Sequence, residues 1–289
     1  MIGNEPRRCA VESNPRIFRC GTRPLHLGSR TYVMGIVNVT PDSFSDGGRY
    51  DDPVRAVDQT AQLIADGADI IDVGAESTRP GYQPVDVETE WRRLEEPLRQ
   101  IRARWPAVRL SVDTQKAEVA RRAIALGVDI INDIQGFQGD PEMIRVLADS
   151  NAGYIMMFNR PVPWPDGVVD LGEMEEFFVQ GLQRARAYHI ADDRILLDPG
   201  LGFAYSGAAS WTVLRHLPAL SGMGAGLLLG PSRKRFLGTL TGKPPVERDV
   251  ATATVCAIAA MHHVDVMRVH NVALTRDAVA VADRWQYHE

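Results

Sequence analysis

Short apolar runs alternate with longer amphipathic stretches eight times along this chain, and few folds can absorb that rhythm. Residues 32–39 open the series as an apolar, β-branched strand stopped by Thr40-Pro41. Further strands are predicted at 69–73, 109–114, 129–134, 154–158, 194–198, 226–230 and 265–270. Helical spacing marks 52–67, 87–104, 116–126, 141–149, about 171–188, a short piece near 211–216, about 247–263, and 274–285. In the first helix Val54, Val57, Ala61 and Ile64 share a face, Pro53 lies near its start, and Gly67 closes it. Strands separated by helices of this length pair in parallel, and strands apolar throughout are buried on both faces. Eight such units in 289 residues predict an α/β architecture, a single (β/α)8 TIM barrel. A doubly wound open sheet is the alternative. Ahead of the first unit, residues 17–19 and 25–27 flank a turn at Gly21 and Pro24, a short hairpin placed to cover the barrel's bottom. The barrel is expected over 16–289, preceded by an N-terminal extension at 1–15.

Composition narrows the function classes. Hydrophobic residues at 45% and charged residues at 24% belong to a folded chain, not a disordered one. A net charge of −5, with the basic residues dispersed, argues against a nucleic-acid partner. The three cysteines, Cys9, Cys20 and Cys256, are an odd number with no paired or metal-ligand spacing. Reduced thiols in a cytoplasmic protein are expected, without a structural zinc site. Residues 1–14 lack the apolar segment of a secretory signal, and no run of ~18 apolar residues predicts a membrane span.

Function is written where apolar character stops. The strands end at or lead into Asn38, Glu76, Asp113, Asn132-Asp133, Asp198, Ser232-Arg233-Lys234, and Arg268 with His270. In a barrel these ends meet at one rim, where active sites sit. Any single Asp, Asn or Ser there reads equally well as a helix N-cap, but Lys, Arg and His are not capping residues. Asp113, Asn132 and Asp198 offer acceptors and an amide, able to read a planar heterocycle with N–H and C=O edges. Lys234, Arg79, Arg268 and His270 offer cationic donors for anionic oxygens. The implied ligand has a polar ring at one end and a negative group at the other. The loops 38–48 and 76–83 are long and rich in Gly, Pro and Ser, as mobile lids are.

These residues resemble one family. GIVNVTPDSFSDGG (35–48), VGAESTRPG (73–81), SVDT (111–114), INDI (131–134), LDPGLGF (197–203), SRKRF (232–236) and RVH (268–270) are similar, in order, to the signatures of dihydropteroate synthases. The resemblance runs from about 31 to 285 and implies a (β/α)8 fold and a folate-pathway transferase. Its substrates would be 6-hydroxymethyl-7,8-dihydropterin diphosphate and 4-aminobenzoate. By match, Asp113, Asn132, Asp198 and Lys234 would hold the pterin, with Met156 on the pocket wall and Arg268 stacked on the ring. Asn38, Arg79, His270 and Ser232 would hold the diphosphate, with Asn38 also beside Mg2+. Thr78, Pro80, Phe203 and the segment Lys234-Arg235 would border the aminobenzoate, whose carboxylate would meet the helix after SRK. Asp42 and Phe44 would lie on the first loop. The resemblance also implies a homodimer and a sulfonamide target.

The chain departs from the family at two places. Met156-Met157-Phe158-Asn159 stands where a Met-His-Met type run is usual, which would reshape the pterin pocket floor. Ala204-Tyr205-Ser206 replaces a small residue and a Lys, near the expected aminobenzoate side, so sulfonamide fit would change. Residues 160–167, with Pro161, Pro163, Trp164 and Pro165, read as a stiff connection. His262-His263 reads as the end of a helix, not a metal pair. Two competing functions share the ring-reading residues. A methyltetrahydrofolate–corrinoid methyltransferase would not need the diphosphate-binding cations, and a non-catalytic paralogue would bind a pterin without turnover.

Overall fold

A computed structural model describes residues 16–39, 52–76 and 84–287. The expected extension at 1–15 lies outside them. Two strands, β1 (Arg16–Phe18) and β2 (Leu25–Leu27), pair antiparallel as the hairpin. Eight more follow: β3 (Tyr32–Asn38), β4 (Ile70–Gly74), β5 (Arg109–Asp113), β6 (Ile130–Asp133), β7 (Gly153–Met157), β8 (Ile195–Asp198), β9 (Gly226–Leu229) and β10 (Val266–Val269). They pair in parallel in chain order, and β10 returns to β3, closing a barrel. The open-sheet alternative is thereby excluded.

The helices are α1 (Asp52–Ala65), α2 (Val87–Arg104), α3 (Ala117–Ala125), α4 (Met143–Ala148), α5 (Leu171–Ala187), α6 (Ala208–Leu220), α7 (Arg235–Thr241), α8 (Asp249–Met261) and α9 (Val272–Tyr287). The short piece expected near 211–216 is the middle of α6, which carries Pro218 in its last turn. Proline there ends a helix without removing a bond from its middle.

Strand parity sorts the core into two clusters. Met34, Ile70, Ile130, Ile155, Leu196 and Leu228 face the barrel interior and pack with Phe18, Cys20, Leu25 and Leu27 of the hairpin. Their neighbours in sequence, such as Val33, Ile71, Ile131, Tyr154 and Leu197, face outward under the helices. The hairpin therefore plugs the bottom of the barrel, and the Arg16 guanidinium ties it to Asp265 at 2.7 and 3.1 Å. Gly153 is small because the hairpin passes close: a Cβ there would lie 2.5 Å from Phe18 Cζ and 2.8 Å from Cys20 Cβ. The lower interior is filled mainly by apolar side chains, and most of the inward charged groups lie toward the C-terminal end of the strands.

Candidate active site

The helix caps settle whether the strand-end residues are caps or a site. Asp86 caps α2, accepting from Thr89 N at 2.7 Å, and Asp170 caps α5, accepting from Glu173 N at 3.0 Å. Lys116, not Asp113, precedes the first turn of α3. Asp113, Asn132 and Asp198 thus remain as interior side chains at the ends of β5, β6 and β8.

Arg268 on β10 organises this interior. Its Nη2 donates to Asp113 Oδ2 at 2.6 Å and its Nε to Asp72 Oδ2 at 2.6 Å. Asn132 Nδ2 donates to the same Asp72 oxygen at 3.3 Å. Burial pushes Asp113 up to about 7; Arg268 opposes that shift and Asp72 adds to it. Asp198 is raised by burial to about 6, although it accepts a hydrogen bond from Gly200 N at 2.8 Å and lies near Lys234 and Arg268. Burial lowers Lys234 to about 8 against the pull of Asp198 and Asp113. Burial also works against the charge on Arg268, but Asp72 and Asp113 outweigh it and its proton is held more tightly than usual. Acids pushed up and an ammonium pushed down in one cavity are the electrostatic mark of a functional site.

The backbone turns that present these groups are specific. After β8, Gly200 adopts φ +71°, and a Cβ there would meet the Phe158 carbonyl oxygen at 2.2 Å, so only glycine fits. After β9, Arg233 takes φ +58° and turns its guanidinium away, onto Asp249 at 2.7 and 2.8 Å. That reversal lets Lys234 come back toward the cavity, where its Nζ lies 4.0 Å from the centre of the Phe203 ring. Ser232 Oγ accepts from His270 N at 3.1 Å and lies 2.9 Å from His270 Nδ1. The hydroxyl and the imidazole thus hydrogen-bond one another while the same oxygen also accepts from the His270 backbone.

Asp113, Asn132, Asp198, Lys234, Arg268 and Phe203 are thus brought together, and Ser232 and His270 form a pair at the same end. Asn38 ends β3 in register with Gly74, next to Asp113 across the sheet. Arg235 is exposed on the first turn of α7. Thr78, Arg79 and Pro80, with Asp42 and Phe44, lie outside the described residues. Met156 does not join the set. It belongs to the outer core, where its sulfur packs against Gly181 of α5, and the interior residue is its neighbour Met157, in register with Asp198. In an all-apolar strand no polar alternation marks which residue faces in.

The two departures also face outward. Phe158 stacks on Trp164 with ring centres 5.6 Å apart and meets Phe177 edge-on at 5.2 Å. Tyr205 is 1% exposed and donates its hydroxyl to the Pro199 carbonyl at 2.8 Å, 6.4 Å from the Trp164 ring. Neither side chain lines the interior as expected. They form one aromatic cluster beneath the loop 160–167.

Sequence reading missed Asp72. The signal was a charge in mid-strand, Ile71-Asp72-Val73, mirrored by Met267-Arg268-Val269 on the strand that supplies its partner. Glu76, two residues past the end of β4 as the rim reading has it, bonds Lys116, which also bonds Glu90. Among the described residues no cluster of three or more His, Cys, Asp or Glu could hold a metal ion.

A closed parallel barrel with acids, an amide and cations gathered inside the C-terminal ends of its strands has the layout of a barrel enzyme's active site. Residues 34–270 match the family described as "Pterin binding enzyme". The chain is 41% identical over 262 residues to the dihydropteroate synthase of Synechocystis sp., covering 89% of this chain and 90% of that one. It is 38% identical to that of Mycobacterium leprae, covering 88% and 93%. Among solved structures, Xanthomonas albilineans dihydropteroate synthase with 4-aminobenzoic acid superposes with a TM-score of 0.89 at 40% identity, covering 95% of this chain and all of that one. Burkholderia cenocepacia dihydropteroate synthase complexed with 7,8-dihydropteroate gives 0.82 at 34%, covering 92% and 95%. The chain belongs to the pterin binding enzymes and, within them, to the dihydropteroate synthases, which are transferases.

Proposed function

We propose that the chain condenses 6-hydroxymethyl-7,8-dihydropterin diphosphate with 4-aminobenzoate, releasing diphosphate and forming 7,8-dihydropteroate. The observation that carries this is the convergence of Asp113, Asn132, Asp198, Lys234 and Arg268 in one cluster at the C-terminal ends of the strands. Asp113, Asn132 and Asp198 face the N–H and C=O edges of the pterin, with Lys234 and Arg268 against its remaining acceptors and its face. The C–O bond to diphosphate breaks first, and positive charge spreads from the methylene carbon into the ring. The carboxylates of Asp113 and Asp198 favour that charge. The His270 imidazole, with Ser232 fixing the ring, and Arg79 take the leaving oxygens. The amine of 4-aminobenzoate then bonds the carbon and sheds a proton, its ring bordered by Phe203, Thr78, Pro80 and the Lys234-Arg235 segment. The corrinoid methyltransferase reading has no use for a cationic anion site.

Asn38 presents one hard amide oxygen, a donor set that fits a magnesium ion delivered with the diphosphate and completed by its oxygens and water. The ion would neutralise charge on the departing group. A homodimer is supported by an apolar stripe on neighbouring helices: Val250, Ile258 and Met261 on α8, and Leu274, Val281 and Trp285 on α9, are all at least 41% exposed. A reducing, cytoplasmic setting is supported by Cys20 and Cys256, both buried and unpaired; no described helix is long and apolar enough to cross a membrane.

The test is turnover of pterin diphosphate and 4-aminobenzoate with magnesium, followed by diphosphate release and dihydropteroate formation. Release of diphosphate without condensation would overturn this reading, and pterin binding without either would overturn it in favour of a binding paralogue.

A further inference from the structure

Asp72 sits in the middle of β4 with no exposed surface, flanked by Ile71 and Val73, and the reaction described above does not use it. Its Oδ2 accepts from both Arg268 Nε and Asn132 Nδ2, and its Oδ1 has no hydrogen-bond partner among the described residues. One carboxylate oxygen therefore fixes two groups that belong to the pterin pocket. A buried carboxylate is costly, and apolar replacements of buried charge pairs are often neutral or stabilising, so packing alone does not explain it.

The geometry of Arg268 suggests what Asp72 does. Its guanidinium is held at two separate places, Nε by Asp72 and Nη2 by Asp113. Asp113 meets Arg268 through Oδ2 alone, which leaves its second oxygen to accept from the heterocycle. The Nε bond to Asp72 fixes the guanidinium edge and keeps its contact with Asp113 single. Without Asp72, an arginine beside a lone carboxylate favours a two-pronged pairing with it, which would occupy both Asp113 oxygens and close the pocket.

We propose that Asp72 is a positioning residue of the pterin site: it holds Arg268 by its Nε edge and Asn132 by its amide, so that Asp113 keeps one oxygen for the heterocycle. This rests on the pterin reading, and its test must fail separately from it. The experiment is a double-mutant cycle of Asp72→Asn and Arg268→Gln, with melting temperatures checked for every variant. It is read twice: on kcat and both KM values, and on calorimetric affinity for 6-hydroxymethylpterin. Asp72→Asn alone is expected to cost about tenfold to hundredfold in kcat/KM for pterin diphosphate, while the KM for 4-aminobenzoate moves less than about twofold. With Arg268→Gln already present, adding Asp72→Asn should cost less than about threefold more. An equal cost in both backgrounds, or equal rises in the two KM values, would reduce Asp72 to a structural residue and overturn the proposal. Should Asp72→Asn fail to fold, Asp72→Ser, which keeps a small neutral acceptor, carries the same cycle. Absence of turnover in the parent chain would sink the synthase reading, yet the binding cycle would still decide the role of Asp72.

Discussion

Three side chains in the cavity titrate within two pH units of one another, and this sets measurable behaviour. Asp198 near 6 and Asp113 near 7 must be ionised, and Lys234 near 8 must keep its proton, for the pocket to carry its working charges. The kcat/KM for pterin diphosphate is expected to fall on the acid side as the carboxylates protonate and on the basic side as Lys234 deprotonates, the limbs reporting the coupled cluster. Lys234→Arg should remove the basic limb from the pH–rate profile, because a guanidinium stays charged there. Stability should run the other way for Asp198. Its folded proton affinity is raised above the ordinary 3.8, so the stability it contributes is present at low pH and lost as pH climbs through about 6. Asp198→Asn cannot ionise; its melting temperature relative to the parent should therefore rise between about pH 4 and 7, by about 2–4 °C per kcal/mol relieved, while kcat falls about a hundredfold. A melting difference independent of pH would contradict the assignment. Most of this chemistry could be read from the chain, because Asp113, Asn132, Asp198, Lys234 and Arg268 interrupt apolar runs. Asp72 escaped because it lies one turn of the pleat below the rim. Met157, not Met156, is the inward residue, and Ile155-Met156-Met157-Phe158 offers no alternation to reveal that side.

At the scale of elements, eight strand–helix units were legible because period two and period 3.6 alternate cleanly, and most boundaries agree within two residues. The exceptions have local causes. α6 extends beyond the short piece marked at 211–216 and carries Pro218 in its last turn, and α7 is only seven residues long, too short for a helical period to stand out. The aromatic cluster could not be foreseen, since Phe158, Trp164 and Tyr205 come from two separate loops and meet only when β7 and β8 pair. Tyr205→Phe should therefore cost about 1 kcal/mol, from loss of the hydrogen bond to Pro199, and leave sulfonamide inhibition within about twofold. A large shift in inhibition constant would return Tyr205 to the aminobenzoate side. Gly153→Ala tests the hairpin plug: the added methyl wedges against Phe18 and Cys20. It should lower stability by about 1–3 kcal/mol in denaturant unfolding while both KM values hold.

For the molecule as a whole, the proposed association makes a direct demand on α8 and α9. Val250→Asp, at a site 65% exposed in one chain, should shift the sedimentation coefficient from dimer to monomer without altering the monomer's circular dichroism. An unchanged coefficient would place the subunit contact elsewhere.

The hairpin has a further consequence for traffic. Because Phe18, Cys20, Leu25 and Leu27 stop one end, the cylinder is a cul-de-sac, and everything that visits it must use a single door. The heterocycle that goes deepest has to arrive first and depart last. A compound lodged near the door can thus imprison a bound pterin without touching any of the groups that read it, which makes slow pterin release in the presence of an aminobenzoate mimic an expected kinetic signature of this architecture.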